Sequence, residues 1–164
     1  FKAQPAEIVD RVMSLQEELK ATGKALAAAQ AELAVAKAGA LAAKAEAVGE
    51  FQLLVERLDG VDGAGLQGAA QSLADQLGDG AAVVIGGLPD PADLGKVILV
   101  AAFGQQVIAA RLQAGKFIGG IAKLCGGGGG GRPNLAQAGG RDGAQLTSAL
   151  EAAAVQLQQA LENA

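Results

Sequence analysis

The sequence predicts an α+β or α/β protein in two parts: an N-terminal helical, coiled-coil-like arm, then a globular domain with a small mixed β-sheet flanked by helices. Three observations carry this prediction. A heptad-spaced apolar seam fills roughly the first quarter of the chain, and beyond it short β-branched apolar runs alternate with apolar stripes at helical spacing. Glycine, 25 of 164 residues, gathers in turns and in one uninterrupted run of six. The arm is assigned to residues 1–48 and the domain to residues 49–164.

Pro5 suits the first turn of a helix, and Glu7 and Asp10 put negative charge near its positive end. Ile8, Val12, Leu15, Leu19, Thr22, Leu26, Ala29, Leu33, Ala36 and Ala40 then follow in steps of four and three, about five heptads. Ile8, Val12, Leu15, Leu19, Leu26 and Leu33 are the large members and form a candidate dimer or docking seam. The alanines of the second half need a close neighbour, and Gly39 is expected to break the helix into a hairpin whose short second helix ends near Val48 and Gly49. Six basic and six acidic residues cancel over residues 1–47. That neutrality leaves a spacer and a dimerisation arm both open and disfavours a cationic nucleic-acid arm.

From Phe51 the period changes. Residues 51–58 read as a strand, followed by turns at Asp59-Gly60 and Asp62-Gly63. Leu66, Ala69, Ala70, Leu73 and Leu77 make a helical stripe closed by Gly78 and Gly80. Residues 81–88 and 96–103 read as buried strands on either side of a loop holding Pro89 and Pro91. Residues 105–112 and 115–125 look helical, although Gly119-Gly120 weakens the second. Residues 126–131 read as a loop, 135–138 as a brief strand, and 143–163 as a terminal helix with Leu146, Leu150, Ala153, Leu157 and Leu161 on one face.

Absences exclude whole chemistries. Without histidine there is no Ser-His-Asp or Cys-His nucleophile and no His-bearing zinc site. The single cysteine, Cys125, allows neither an internal disulfide nor a thiolate cluster, and is expected to be a small buried helix residue. Such cysteine usage agrees with a cytoplasmic location. No apolar run approaches a membrane span, so no membrane partner is expected. The chain starts at Phe1 with neither Met nor a signal pattern and is expected to be a piece of a longer protein.

The net charge of −4 argues against a general nucleic-acid binder. Its distribution argues the other way: no acid lies between Asp93 and Asp142, while Lys96, Arg111, Lys116, Lys123, Arg132 and Arg141 supply six positive charges. This is either a solubilised helix surface or a local anion-binding face. The glycine run favours the second, because a stretch without side chains brings backbone N–H groups close to phosphate oxygens and the Arg132 guanidinium can fork onto one. It is no Walker A loop, since no Gly-Lys-Ser/Thr follows, and its bland alternative is a flexible linker. With no Trp or Tyr for stacking, recognition leans on backbone and shape rather than on sequence read in single strands. Gln137 either presents its amide to a ribose or base edge or satisfies backbone groups in the loop.

The string CGGGGGGRPNLAQAGGRD, residues 125–142, resembles the signature near the C-terminus of alanyl-tRNA synthetases, in their DHH-associated domain, approximately V-G-G-K-G-G-G-R-P-D-M-A-Q-A-G-G. FQLLVERLDGVDGAGLQGAAQSLADQLG resembles that domain's opening strand, turn and helix, and AGKFIGGIAKLCGG its helix before the loop, so the resemblance covers essentially the whole chain. It implies a C-terminal region with a helical arm and a globular module that binds the outer corner of tRNA, supports aminoacylation and editing by upstream domains, and often contributes to a homodimer. The signature lands on Gly126, Gly127, Gly129, Gly130, Gly131, Arg132, Pro133, Ala136, Gln137, Ala138, Gly139 and Gly140. With Arg111, Lys116, Lys123 and Arg141 from the basic stretch, Gly126, Gly127, Gly129, Gly130, Gly131, Arg132 and Gln137 make up the expected tRNA contacts. Gly128 stands where the pattern often has Lys, and Asn134 where it has Asp; the lost cation weakens phosphate contact. ATP and zinc are implied only for upstream domains, so the chain alone is expected to have no catalytic site, cofactor or metal. Two alternatives remain: a chiefly structural dimerisation module, and a C-terminal part of a long free-standing alanyl-tRNA editing protein. The substrate-holding half of a DHH-type phosphoesterase is disfavoured by the local match.

Overall fold

The computed structural model describes residues 5–164 and, within the first helix, the side chains of residues 11–26, 28, 29, 32, 36 and 40–42. That helix, α1 (Pro5–Ala42), leads into β1 (Glu46–Val48), β2 (Phe51–Arg57), α2 (Gly63–Leu77), β3 (Ala81–Gly87) and β4 (Val97–Phe103). Two helices follow, α3 (Gln105–Ala109) and α4 (Ala114–Leu124), then the hairpin of β5 (Gly128–Gly131) and β6 (Leu135–Gly140). A single 3-10 turn (Gly143–Gln145) opens the last helix, α5 (Leu146–Glu162).

One six-stranded sheet, in the order β1-β2-β3-β4-β6-β5, organises the domain. Only β2 and β3 pair in parallel, and α2 is the crossover that a parallel pair requires. β3 and β4 are buried along their whole length, as their apolar sequences AAVVIGG and VILVAAF demand in a central position. One face of the sheet, with Val84, Leu99, Ala101, Ala136 and Ala138, packs against α3, α4 and α5. The other, with Leu54, Val83, Ile85, Ile98 and Val100, packs against α2. Leu41 and Ala42 at the end of α1 join this second layer, and α1 lies against α2. The mixed sheet flanked by helices is the expected fold class, and α2 and α5 bury the stripes expected of them: Leu66, Ala69, Ala70 and Leu73, and Leu146, Leu150, Ala153, Leu157 and Leu161.

Three local expectations fail for physical reasons. Gly39 does not break the arm into a hairpin: α1 runs on to Ala42, because one helical glycine costs only about 1 kcal/mol and alanines surround it. In place of a second helix, residues 46–48 become the edge strand β1, since Gly49 at φ 60° turns the chain within two residues and lays Val48 against Phe51. The third failure is the glycine run, which is a strand rather than a loop. Residues 128–131 pair with β6 from Gly128↔Gly139 to Gly131↔Ala136.

Close packing explains why that strand is glycine. Arg132 N donates to Leu135 O at 3.0 Å, so alternation turns the N–H and C=O of Gly128 and Gly130 towards β6 and those of Gly129 and Gly131 towards the outer edge. Two glycines of α4 abut that edge: a methyl group at Gly115 would lie 2.6 Å from Gly131 O, and one at Gly119 would lie 2.9 Å from Gly129 O. This contact accounts for Gly119 in α4, whereas a methyl at Gly120 would meet nothing within 4 Å. Along β5 the demand alternates. A methyl at Gly129 would meet Ala138 Cα at 2.4 Å and one at Gly131 would meet Ala136 Cα at 2.7 Å, whereas one at Gly128 meets nothing within 4 Å.

Gly129→Ala should therefore destabilise the domain by about 1–3 kcal/mol through overpacking. Gly128→Ala should be neutral or gain up to about 1 kcal/mol by restricting the unfolded chain. Urea midpoints at unchanged m-value check both.

Candidate nucleic-acid interface

The hairpin register decides which predicted residues meet. Val97 pairs with Gly140, which sets Lys96 beside Arg141 at one end of the hairpin. There an open groove of about 800 Å³ is lined by Gly63, Lys96, Ile98, residues 126–128, Gln137, Gly139 and Arg141. Gly126, at φ 64°, makes the turn out of α4 into this groove. Lys123 belongs to the same end, since its carbonyl accepts from Gly126 N at 3.1 Å.

The other cations lie at the opposite end. Ala114 N donates to Pro133 O at 2.9 Å, so the start of α4 is tied to the hairpin turn that carries Arg132. Lys116 projects from the first turn of α4, and Arg111 precedes it in the link from α3, at φ 67°. The six cations thus fall into two groups of three, Lys96, Lys123 and Arg141 against Arg111, Lys116 and Arg132, separated by the length of β5, about 13 Å for four residues. All six are exposed, and neither of the two salt bridges among the described residues, Lys44–Glu56 and Arg57–Asp59, involves any of them.

Folding also supplies acids that the 48-residue acid-free window hid. Asp62 caps α2, accepting from Gly65 N at 2.8 Å, and directly precedes Gly63 in the groove; Asp142 follows Arg141 and accepts from Ala144 N at 3.1 Å. Both charges are engaged with backbone N–H groups at helix starts, which tempers their repulsion of an anion. At the far end of α2 a cavity of about 310 Å³ is lined by Asp75, Asp79, Gln71, Gln105 and Asn134. Cations thus line the Lys96–Arg141 groove, and carboxylates line this cavity.

Of the N–H groups of the glycine run, those of Gly126 and Gly127 donate to Lys123 O and Ala122 O, those of Gly128 and Gly130 face β6, and those of Gly129 and Gly131 face the exposed outer edge. Gln137 does not satisfy loop backbone. Its exposed amide lies over the first turn of α2, where a methyl at Gly63 would be 2.7 Å from Nε2, and among the described residues it makes no hydrogen bond. Lys96, Gly63 and Gly139 are groove residues that the expected contact set omitted. Lys96 was visible in the basic stretch, but only the β4–β6 register singles it out. Cys125 is buried at the end of α4, as expected, with its carbonyl accepting from the N–H groups of Arg141 and Asp142 at 2.8 and 3.0 Å. Burial, and secondarily the charge of Asp142, push its thiol above the ordinary value of 9.0.

On the arm, Val12, Leu15, Leu19 and Leu26 are 47%, 49%, 76% and 59% exposed, and Met13 beside them 58%. The side chains of Ile8 and Leu33, the remaining seam members, lie outside the described residues.

Residues 50–159 match the family model described as the DHHA1 domain. The chain is 90% identical over 161 residues to an alanine-tRNA ligase of Parasynechococcus marenigrum (strain WH8102), and 84% identical over 161 residues to one of Synechococcus sp. (strain WH7803). Each match covers 98% of this chain and 18% of the relative, so the chain spans less than a fifth of those relatives' length. The fold is similar to the crystal structure of the C-Ala domain from Aquifex aeolicus alanyl-tRNA synthetase, with a TM-score of 0.58 and 27% identity over 72% of this chain and 97% of that one.

Because the folded state holds Cys125 protonated more firmly than the unfolded state does, the stability this confers is present below about pH 9 and is lost as pH rises through the raised pKa. Cys125→Ala should lose less stability than the parent chain across that rise, measured by urea unfolding at a series of pH values.

Proposed function

Starting from the chain's membership of the DHHA1 domain family, we propose that it is the C-terminal tRNA-binding and assembly module of a cytoplasmic alanine-tRNA ligase. It holds the outer corner of alanine tRNA while upstream domains, which carry the ATP and zinc chemistry, aminoacylate and edit. The observation that carries this reading is the convergence of Lys96 and Arg141 on the groove of the signature hairpin, where neither is spent on a salt bridge among the described residues. Two or three phosphate contacts in one groove give weak, salt-sensitive binding, which suits a module that works in concert with other domains. Gly128 is the place where a further cation fits. Its position on the groove lining is open, and a Lys there would add a third cation to the lining beside Lys96 and Arg141.

Titration of labelled tRNA at several salt concentrations should show binding at low salt that weakens as salt rises, with a shallow slope of about −2 to −3 in log K against log salt. Lys96→Ala and Arg141→Ala should each lower affinity and reduce the slope of log K against log salt by about 1. Gly128→Lys should raise both without loss of stability. No binding by the parent chain even at low salt sinks the reading.

The exposed arm supports a second role in assembly. Four large seam residues, each about half exposed or more along a helix about 57 Å long, are the pattern of an unfilled helix-helix interface. Sedimentation should show a concentration-dependent dimer that Leu19→Lys returns to monomer. A parent chain that stays monomeric at all concentrations removes this role.

A further inference from the structure

Close packing accounts for only part of the glycine in the β5–β6 hairpin. Gly127, Gly129 and Gly131 have no room for a methyl group, and Gly126 has a positive φ. Gly130 and Gly139 are different: an added methyl would find only a backbone oxygen at 3.8 and 3.7 Å, an ordinary contact, and neither φ is in the left-handed region. The fold has room for a Cβ at either place, and strands favour residues that carry one over glycine.

Both glycines, with Gln137 between them, lie on the same sheet face. Gly130 pairs with Gln137, and Gly139 is two residues further along β6. This is the α2 side, where α2 covers β4 fully and touches β6 only near Leu135 and Gln137: Val100 and Ala102 are buried beneath it, whereas Gln137, Gly139 and Gly130 are exposed. The result is an open strip of peptide backbone bearing a single amide and bounded at one end by Lys96 and Arg141.

We propose that this strip is a stacking surface, on which a nucleobase plane of the bound RNA lies flat against the backbone of β5 and β6 while Lys96 and Arg141 hold adjoining phosphates. The proposal rests on the tRNA reading above. Glycine at positions where packing does not require it keeps the approach clear for a broad, uncharged, planar group. No aromatic side chain among the described residues does that work. Phe103 is 3% exposed, and Phe51 and Phe117 pack against the core. The occupant is a base rather than more backbone phosphate because the strip carries no cation of its own, and Asp62 stands beside it at the start of α2. Gln137 can hydrogen-bond the edge of a base lying in that plane.

Gly130→Val tests it, with labelled tRNA titrated at low and moderate salt and thermal unfolding measured in parallel. The expected result is an unchanged or raised Tm and about tenfold weaker tRNA binding at both salt concentrations, so that the salt slope is preserved. Gly139→Ala, whose methyl sits in ordinary contact, should weaken binding severalfold in the same salt-independent way and serves if Gly130→Val melts lower. Parent-like affinity in both variants overturns the stacking surface while leaving tRNA binding intact, as does an affinity loss accompanied by a flattened salt slope, which marks an ionic contact instead. A parent chain that fails to bind tRNA at low salt overturns the tRNA reading itself and the stacking surface with it.

Discussion

The contact of backbone on backbone between α4 and β5 is the constraint on which the functional end of the domain depends. The helix comes this close because Gly115 and Gly119 present no Cβ to the carbonyls of Gly131 and Gly129, while those two strand glycines are themselves required by the close approach of Ala136 and Ala138 in β6. An open sheet edge carries unpaired N–H and C=O groups ready to pair with another chain. α4 lies along this edge without covering it, and all four glycines of β5 stay exposed. The β4–β6 register brings Lys96 and Arg141 together.

Electrostatics follow from that register more than from composition. An acidic chain carries a basic stretch, but the stretch folds into two groups of cations at opposite ends of β5, with Asp62 and Asp142 near one and Asp75 and Asp79 beyond the other end of α2. Such a surface attracts phosphate locally rather than everywhere, so orientation matters more than overall attraction.

The arm obeys a different economy. Its heptad seam is regular, yet Val12, Leu15, Leu19 and Leu26 remain open to solvent, and so do the seam alanines Ala29, Ala36 and Ala40 that were expected to need a close neighbour. Packing against the domain begins at the end of the helix, where Leu41 and Ala42 join the layer around α2.

The sequence by itself determined the fold class, the two buried central strands, the stripes of α2 and α5, and the family signature, because these rest on local periodicity and on an uninterrupted motif. β1 escaped it, since three residues of Glu-Ala-Val carry no alternation to recognise and become a strand only when Gly49 folds them onto β2. The glycine run was visible but misjudged as a loop: a string of glycines has no side-chain pattern, and its strand conformation comes wholly from β6 on one side and α4 on the other. Tertiary structure alone decided which cations share a groove, that Gln137 is free, and that Gly130 and Gly139 pave an open face. All three depend on strand register and on where α2 stops covering the sheet, which are relations between distant residues that no local window contains.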